Sequence, residues 1–351
     1  MLNRYDKMVK YWLYTVLFLC LAIVMLGGAT RLTGSGLSIT EWHPIHGIIP
    51  PLNQEQWNSE FLKYQQIAQY KDVNNGMSLS EFKGLYWWEW SHRLLARVIG
   101  LVSLLPLLGS FIVSLVKRGN DRVFKSWVGN KYFLYFLLTP FMVGIQGVIG
   151  WWMVYSGLAN SKLTSVSQYR LATHMISASI IIMFVTYIAR SLSEFKNPPA
   201  PRVLQKLACL LSVVILLQIY FGALVAGLHA GLSYNTWPLM DGSFIPSSLF
   251  TMKPIWHNFF ENIATVQFVH RSFAYIVWII ALINLLVAKR VAPYTAHYSR
   301  SIILFGLVLS QAILGIIILL NRVPISLGLF HQFWALIILV LSVMHWRGTN
   351  A

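Results

Sequence analysis

Charge is scarce in this chain: Asp, Glu, Lys and Arg together make up 11% of its 351 residues, against about 25% in an ordinary soluble domain. So few charges cannot cover a surface that faces water, so lipid must be the outer solvent. Acids are rarer than bases, 11 against 27, which leaves a formal net charge of +16. That excess would suit a nucleic-acid binder, but the bases lie in short loops between apolar runs, which is the pattern of membrane topology. No nucleic-acid partner is expected. Cysteine is nearly absent, and Cys20 and Cys209 both fall within apolar runs. With no C-x-x-C and no C-x-x-C-H, a thiol redox pair, an iron–sulfur cluster and covalent haem attachment are excluded. The two thiols read as small buried hydrophobes. A G-x-G-x-x-G dinucleotide fingerprint is missing as well.

What the chain does have is apolar length. Runs long enough to cross about 30 Å of hydrocarbon begin near residues 11, 87, 131, 171, 203, 266, 300 and 327. The first follows Arg4, Lys7 and Lys10 but is longer than a signal-peptide core, and it is read as a span. Lys117, Arg118, Arg122, Lys125 and Lys131 separate spans two and three; Arg190, Lys196, Arg202 and Lys206 separate four and five; Lys289, Arg290 and Arg300 separate six and seven. With the basic N-terminus and Arg347, they put both termini in the cytoplasm. Most acids fall on the opposite side. The expectation is an all-α integral membrane protein with eight transmembrane helices. Its first outer loop, 31–86, carries Pro44, Pro50 and Pro51, then an amphipathic run from Gln54 to Tyr70. Ser78-x-x-Glu81 closes that loop as a capping box for a helix running into span two. Trp87, Trp88 and Trp90 follow as an interfacial belt.

The two halves repeat one another. Gly36-Leu37-Ser38 with Trp42 and Pro44 is echoed by Gly231-Leu232-Ser233 with Trp237 and Pro238, and Gln146-x-x-x-Gly150 returns as Gln311-x-x-x-Gly315. His92-Arg93 matches His270-Arg271, and His174 matches His331. Four spans per half give both halves one orientation, as in parallel repeats about an axis along the membrane normal. The expected architecture is two pseudo-two-fold-related four-helix bundles, residues 1–195 and 196–351, of the kind that holds cofactors between facing helices.

Ionisable side chains within a span are costly and usually functional. His92, His174, His270 and His331 each sit in a helix entering from the outer face, one to two turns in, so they share a depth. A lone intramembrane histidine is more often a packing residue; four at one depth in a two-by-two repeat are not explained that way. No carboxylate or thiol set accompanies them as zinc would require. Two per bundle fit axial ligation of a haem iron. Arg93 and Arg271 suit haem propionates, or else act as interface charges. Glu89 lies one turn before His92, where the second half has Gln267; it reads either as chemistry confined to the first half or as an i,i+4 ion pair with Arg93. His43, His46, His229, His257, His297 and His345 read as surface or interface residues.

The motifs Gly28-Ala-Thr-Arg31-Leu-Thr-Gly34-Ser-Gly36-Leu, Glu41-Trp42, Trp88-Glu89-Trp90-Ser91-His92-Arg93, Asn235-Thr-Trp-Pro-Leu-Met-Asp-Gly242 and His270-Arg271 together resemble the haem A synthase family over nearly the whole chain. The long first outer loop resembles its mitochondrial and alphaproteobacterial branch. The paired outer-loop cysteines of some other members are absent. The resemblance implies an oxidoreductase that converts a ring methyl of haem O to a formyl group, giving haem A for terminal cytochrome oxidases in a bacterial inner membrane. It implies His92 and His174 on the iron of the substrate haem, His270 and His331 on that of a permanent haem b, and Glu89 as the acidic catalytic residue. Haem O synthase, oxidase assembly factors, a quinone or other electron acceptor and further copies of the chain are the partners to be considered. A non-catalytic bis-histidine di-haem cytochrome b is the alternative; it leaves Glu89 unexplained and would stack its haems across the membrane. A parallel-repeat transporter would need polar residues near mid-membrane, and few are present.

Overall fold

The long apolar runs form helices because in hydrocarbon every backbone N–H and C=O must be paired within its own segment. The computed structural model describes residues 4–43, 46–118, 129–158, 161–193 and 198–350. Pro44, Arg122, Lys125 and Lys196 lie outside the described residues. Among the described residues there are eight helices long and apolar enough to span a membrane. In the first half these are α1 (Arg4–Leu32), α4 (Leu79–Arg118), α5 (Phe133–Tyr155) and α6 (Gln168–Ser191). The second half supplies α7 (Arg202–Gly227), α8 (Ile263–Val291), α9 (Ala296–Leu320) and α10 (Ile325–Thr349). Two short outer-loop helices, α2 (Gln54–Tyr64) and α3 (Ala68–Asp72), stand between α1 and α4.

Local chemistry sets the helix starts. Glu81 Oε2 accepts from the Ser78 backbone N–H at 2.8 Å and from its hydroxyl at 2.7 Å, so the capping box forms as expected. Span two therefore begins at Leu79, eight residues before its apolar run, and its first two turns project into the outer loop. Asn262 caps α8 by accepting from Ala264 N and Thr265 N, and α7 and α10 each follow a proline, Pro201 and Pro324.

Each half closes a ring of four helices. α1 touches α4 and α6, and α5 touches α4 and α6; in the second half α7 touches α8 and α10, and α9 touches α8 and α10. Between halves α6 meets α7, α1 meets α10, and α6 meets α10. Exchanging α1 with α7, α4 with α8, α5 with α9 and α6 with α10 reproduces every one of these contacts. The inner four helices, α1, α6, α7 and α10, are 33–44% buried over their most apolar stretch, the outer four only 11–22%. A single apolar core, with Leu13, Val16, Ile182, Val185, Leu211 and Leu339 among its members, runs through all four inner helices.

The outer loop is folded. Trp57, Tyr64, Phe82 and Tyr86 pack with Leu37, Ile67 and Leu158 into a second small core above α4. Gln69 ties it to the end of α1 by donating to the Gly34 carbonyl at 2.9 Å. Ordinary burial of aromatic faces holds this cap.

Candidate functional site

Ring topology puts the four intramembrane histidines on diagonals. His92 is on α4 and His174 on α6, helices that do not neighbour each other but face across the first ring. His270 on α8 and His331 on α10 do the same in the second. All four residues are of intermediate exposure. Among the described residues no three His, Cys, Asp or Glu side chains converge as a metal centre. Each ring thus presents one facing pair of imidazoles, His92 with His174 and His270 with His331.

The other diagonal carries glycines. A Cβ on Gly150 of α5 would lie 3.0 Å from Cε1 of His174; on Gly222 of α7, 3.1 Å from Cε1 of His270; on Gly315 of α9, 3.2 Å from Cε1 of His331. On Gly27 of α1 it would lie 3.0 Å from Nε2 of His92. Absence of a side chain lets each ring lie against its neighbour's backbone.

One helical turn before three of these glycines stands a glutamine. Gln146 Nε2 is 3.0 Å from Nδ1 of His174 and donates to the His174 carbonyl at 2.9 Å, while Ser177 donates to its Oε1 at 2.5 Å. Gln218 Nε2 lies 3.1 Å from both Nδ1 and the carbonyl of His270. Gln311 donates to the His331 carbonyl at 3.0 Å. Of these, Gln218 escaped the sequence reading, although Gln218-x-x-x-Gly222 is a third copy of the motif. The arrangement suits haem: a histidine bound to iron through Nε2 carries its proton on Nδ1 and needs an acceptor there. The amide oxygens of Gln218 and Gln311 are buried without a partner among the described residues, as is Nδ1 of His331. A half-turn of the Gln218 amide, whose Nε2 stands 3.1 Å from Nδ1 of His270, supplies that acceptor.

Glu89 is the centre of a different structure. Only 2% exposed, it accepts from the Ser38 hydroxyl and the Ile39 N–H at 2.8 Å each through Oε2. Its Oε1 accepts from Arg93 Nε at 3.1 Å and Nη2 at 2.7 Å. The i,i+4 ion pair is therefore formed, and the carboxylate staples the outer segment 38–39 onto α4. Arg93 goes on to donate to the carbonyls of Ile39 at 2.7 Å and Glu41 at 2.8 Å, engaging four of its five N–H groups. Arg271 repeats this with Tyr234 at 2.6 Å and Thr236 at 2.9 Å. Gln267 offers it no charge, and Arg271 Nε is buried without a partner among the described residues. A cleft of about 330 Å³ opens beside Arg93, with Arg97, Glu41 and His43 in its wall. Lys63 at 2.8 Å and then His43 at 3.0 Å hold the Glu41 carboxyl below the ordinary carboxylate range.

Two further histidines are not surface residues. His345 is fully buried, its Nε2 3.2 Å from Asn284 Oδ1 and 3.4 Å from Ser301 Oγ. His297, 2% exposed, reaches the Pro198 carbonyl with Nε2 at 3.0 Å and Arg300 with Nδ1 at 2.9 Å. The C-terminal ends of α8 and α10 and the N-terminal end of α9 pack closely enough to enclose them, which apolar periodicity alone does not reveal. His43 and His229 are exposed, as expected.

Fold and site together define a polytopic helical membrane protein built around two pairs of facing histidines. Residues 10–343 match the model of the COX15-CtaA family, described as cytochrome oxidase assembly protein. The chain belongs to this family. Among similar proteins, one named heme A synthase from Bartonella bacilliformis is 55% identical over 344 residues, covering 98% of this chain and 93% of its own. Another of the same name, from Brucella ovis, is 54% identical over 348 residues, covering 99% and 93%.

Proposed function

We propose that the chain is a haem A synthase of the bacterial inner membrane, with both termini cytoplasmic and both histidine pairs toward the outer side. Two relatives of that name with near-complete coverage support the reaction, and the diagonal histidine pairs support the substrate class. The two bundles, residues 1–195 and 196–351, divide the work. His92 and His174 hold the iron of haem O, the substrate; His270 and His331 hold a resident haem b. When bound, haem b supplies a one-electron relay toward a quinone or another acceptor in the membrane.

Turning a ring methyl into a formyl group with water as oxygen source releases four electrons and four protons: R–CH3 + H2O gives R–CHO + 4 H+ + 4 e−. The protein has to fix the substrate, release protons and keep the second site from reacting. Gln146 and Ser177 fix the His174 ring. Glu89 sits one turn to the outer side of His92 with the Ser38 hydroxyl on its carboxylate, and it takes a proton when its bond to Arg93 relaxes. Gln267 in the second half does neither, which keeps that site a relay. Arg93, with one N–H left for a propionate beside the cleft, and Arg271 pin the outer segments above the two sites. Haem O synthase and an oxidase assembly factor are fitting partners for delivery and hand-over.

The reading is tested by producing the chain in a host that makes haem O but no haem A, purifying it in detergent and chromatographing the acid-extracted pigments. Haem A together with haem B is the expected result. Haem B alone, about two per chain, would favour the di-haem relay.

A further inference from the structure

Two sequence differences stand out between the histidine sites of the two halves: Glu89 against Gln267, and Ile23 against Gln218. The second difference has no place in the chemistry above. Gly27 corresponds to Gly222 and Gly36 to Gly231, both by an offset of 195, and the same offset sets Ile23 where Gln218 would stand. His174, His270 and His331 therefore each have a glutamine on the adjacent helix, one turn from the glycine they lie against. His92 has isoleucine. Among the described residues none hydrogen-bonds the His92 ring.

Ring orientation differs too. At three sites Cε1 meets the glycine, and at two of them, His174 and His270, Nδ1 lies 3.0–3.1 Å from the glutamine amide; at His92 it is Nε2 that meets Gly27. Nε2, which stands 3.7–3.9 Å from the glycine position at the other three sites, is here turned onto the α1 backbone at 3.0 Å. A side chain with no acceptor on Nδ1 is also a weaker base and a less well aimed one.

We infer that His92 is the releasable axial ligand, and that Ile23 is the positioning residue that keeps it so by withholding a clamp. The inference rests on the proposed haem binding. Release breaks only the iron–Nε2 bond, the electron pair staying on nitrogen, with no change of oxidation state. The ring then swings toward Gly27, as it stands in the structure. Substrate enters and product leaves on the His92 side while His174, clamped by Gln146, remains as the fixed support. The second half, with Gln218 on the His270 ring and Gln311 on the His331 backbone, keeps its haem.

Ile23→Gln supplies the missing amide, and Gln218→Ile removes its counterpart; Ile23→Leu controls for packing. Detergent-purified full-length protein carrying haem is mixed with excess apomyoglobin, and haem transfer is followed by absorbance, with EPR reporting the spin state. Two phases are expected for the wild type, the fast one carrying haem O or haem A. Ile23→Gln should slow the fast phase about tenfold, the scale on which such outer partners alter metal affinity, and raise the low-spin fraction. Ile23→Leu should leave both unchanged, and Gln218→Ile should speed the slow, haem B phase about tenfold. A fast phase and spin state unaltered in Ile23→Gln, or altered equally in Ile23→Leu, would overturn the inference while leaving haem binding intact. Wild-type protein that binds no haem O or haem A at all would overturn both.

Discussion

At the scale of single residues, the informative comparison is between Glu89 and Gln267. Both are buried at 2% exposure on equivalent turns, next to an arginine that grips the outer segment. Glu89 accepts four hydrogen bonds, whereas Gln267 donates one to the Tyr234 carbonyl at 3.3 Å and its own oxygen has no partner among the described residues. Because the second half tolerates this, Glu89→Gln should still fold, at a cost of roughly 2 kcal/mol for the lost charged hydrogen bonds. Haem A formation should fall about a hundredfold, the scale of a lost acid–base group, with haem B content unchanged. Pigment chromatography on the purified variant checks this. Undiminished haem A in Glu89→Gln would remove Glu89 from the chemistry and leave it a staple.

At the scale of elements, helices were legible and their contacts were not. Apolar length shows a helix wherever about twenty residues must pair their backbone in lipid, so all eight spans could be found. The Ser78–Glu81 capping box even showed that α4 starts outside the apolar run. Glu89's partners were not readable, because Ser38 and Ile39 are some fifty residues away and are placed by the path of a folded loop. Gln218 was missed although its motif is plain once aligned, because an amide inside an apolar helix carries no periodic signal. His297 and His345 were misread since composition does not show how tightly three helix ends close. The glycine opposite each histidine follows from pairing elements, and it makes a prediction at this scale. Gly222→Val puts branched carbon where even a Cβ would stand 3.1 Å from His270. That should displace the ring and lower haem B per chain at least about tenfold, while Gly222→Ala, needing a shift of only a few tenths of an ångström, should do less. Haem B per purified chain, measured as the pyridine complex, decides it.

Across the whole molecule, duplication makes two similar rings, and the proposed division of labour rests on their differences. The histidine-bearing inner helices α6 and α10 pack against each other, so the pocket proposed for the substrate and the pocket proposed for the relay lie back to back across one contact. In that proposal electrons would cross only that contact, and one continuous apolar core runs through α1, α6, α7 and α10 on either side of it. Asymmetry then resides in side chains: Glu89 and Ile23 in one half, Gln267 and Gln218 in the other.

The central claim is that the first pair holds substrate and the second a resident haem. Its most direct test is the pigment content of two double variants made in a host that supplies haem O. With His92→Ala and His174→Ala together, the purified chain should keep haem B and lose haem O and haem A. With His270→Ala and His331→Ala together, it should lose haem B and still bind haem O, without forming haem A. Loss of the same pigments in both variants, or haem A formed without the second pair, would contradict the division of labour between the halves.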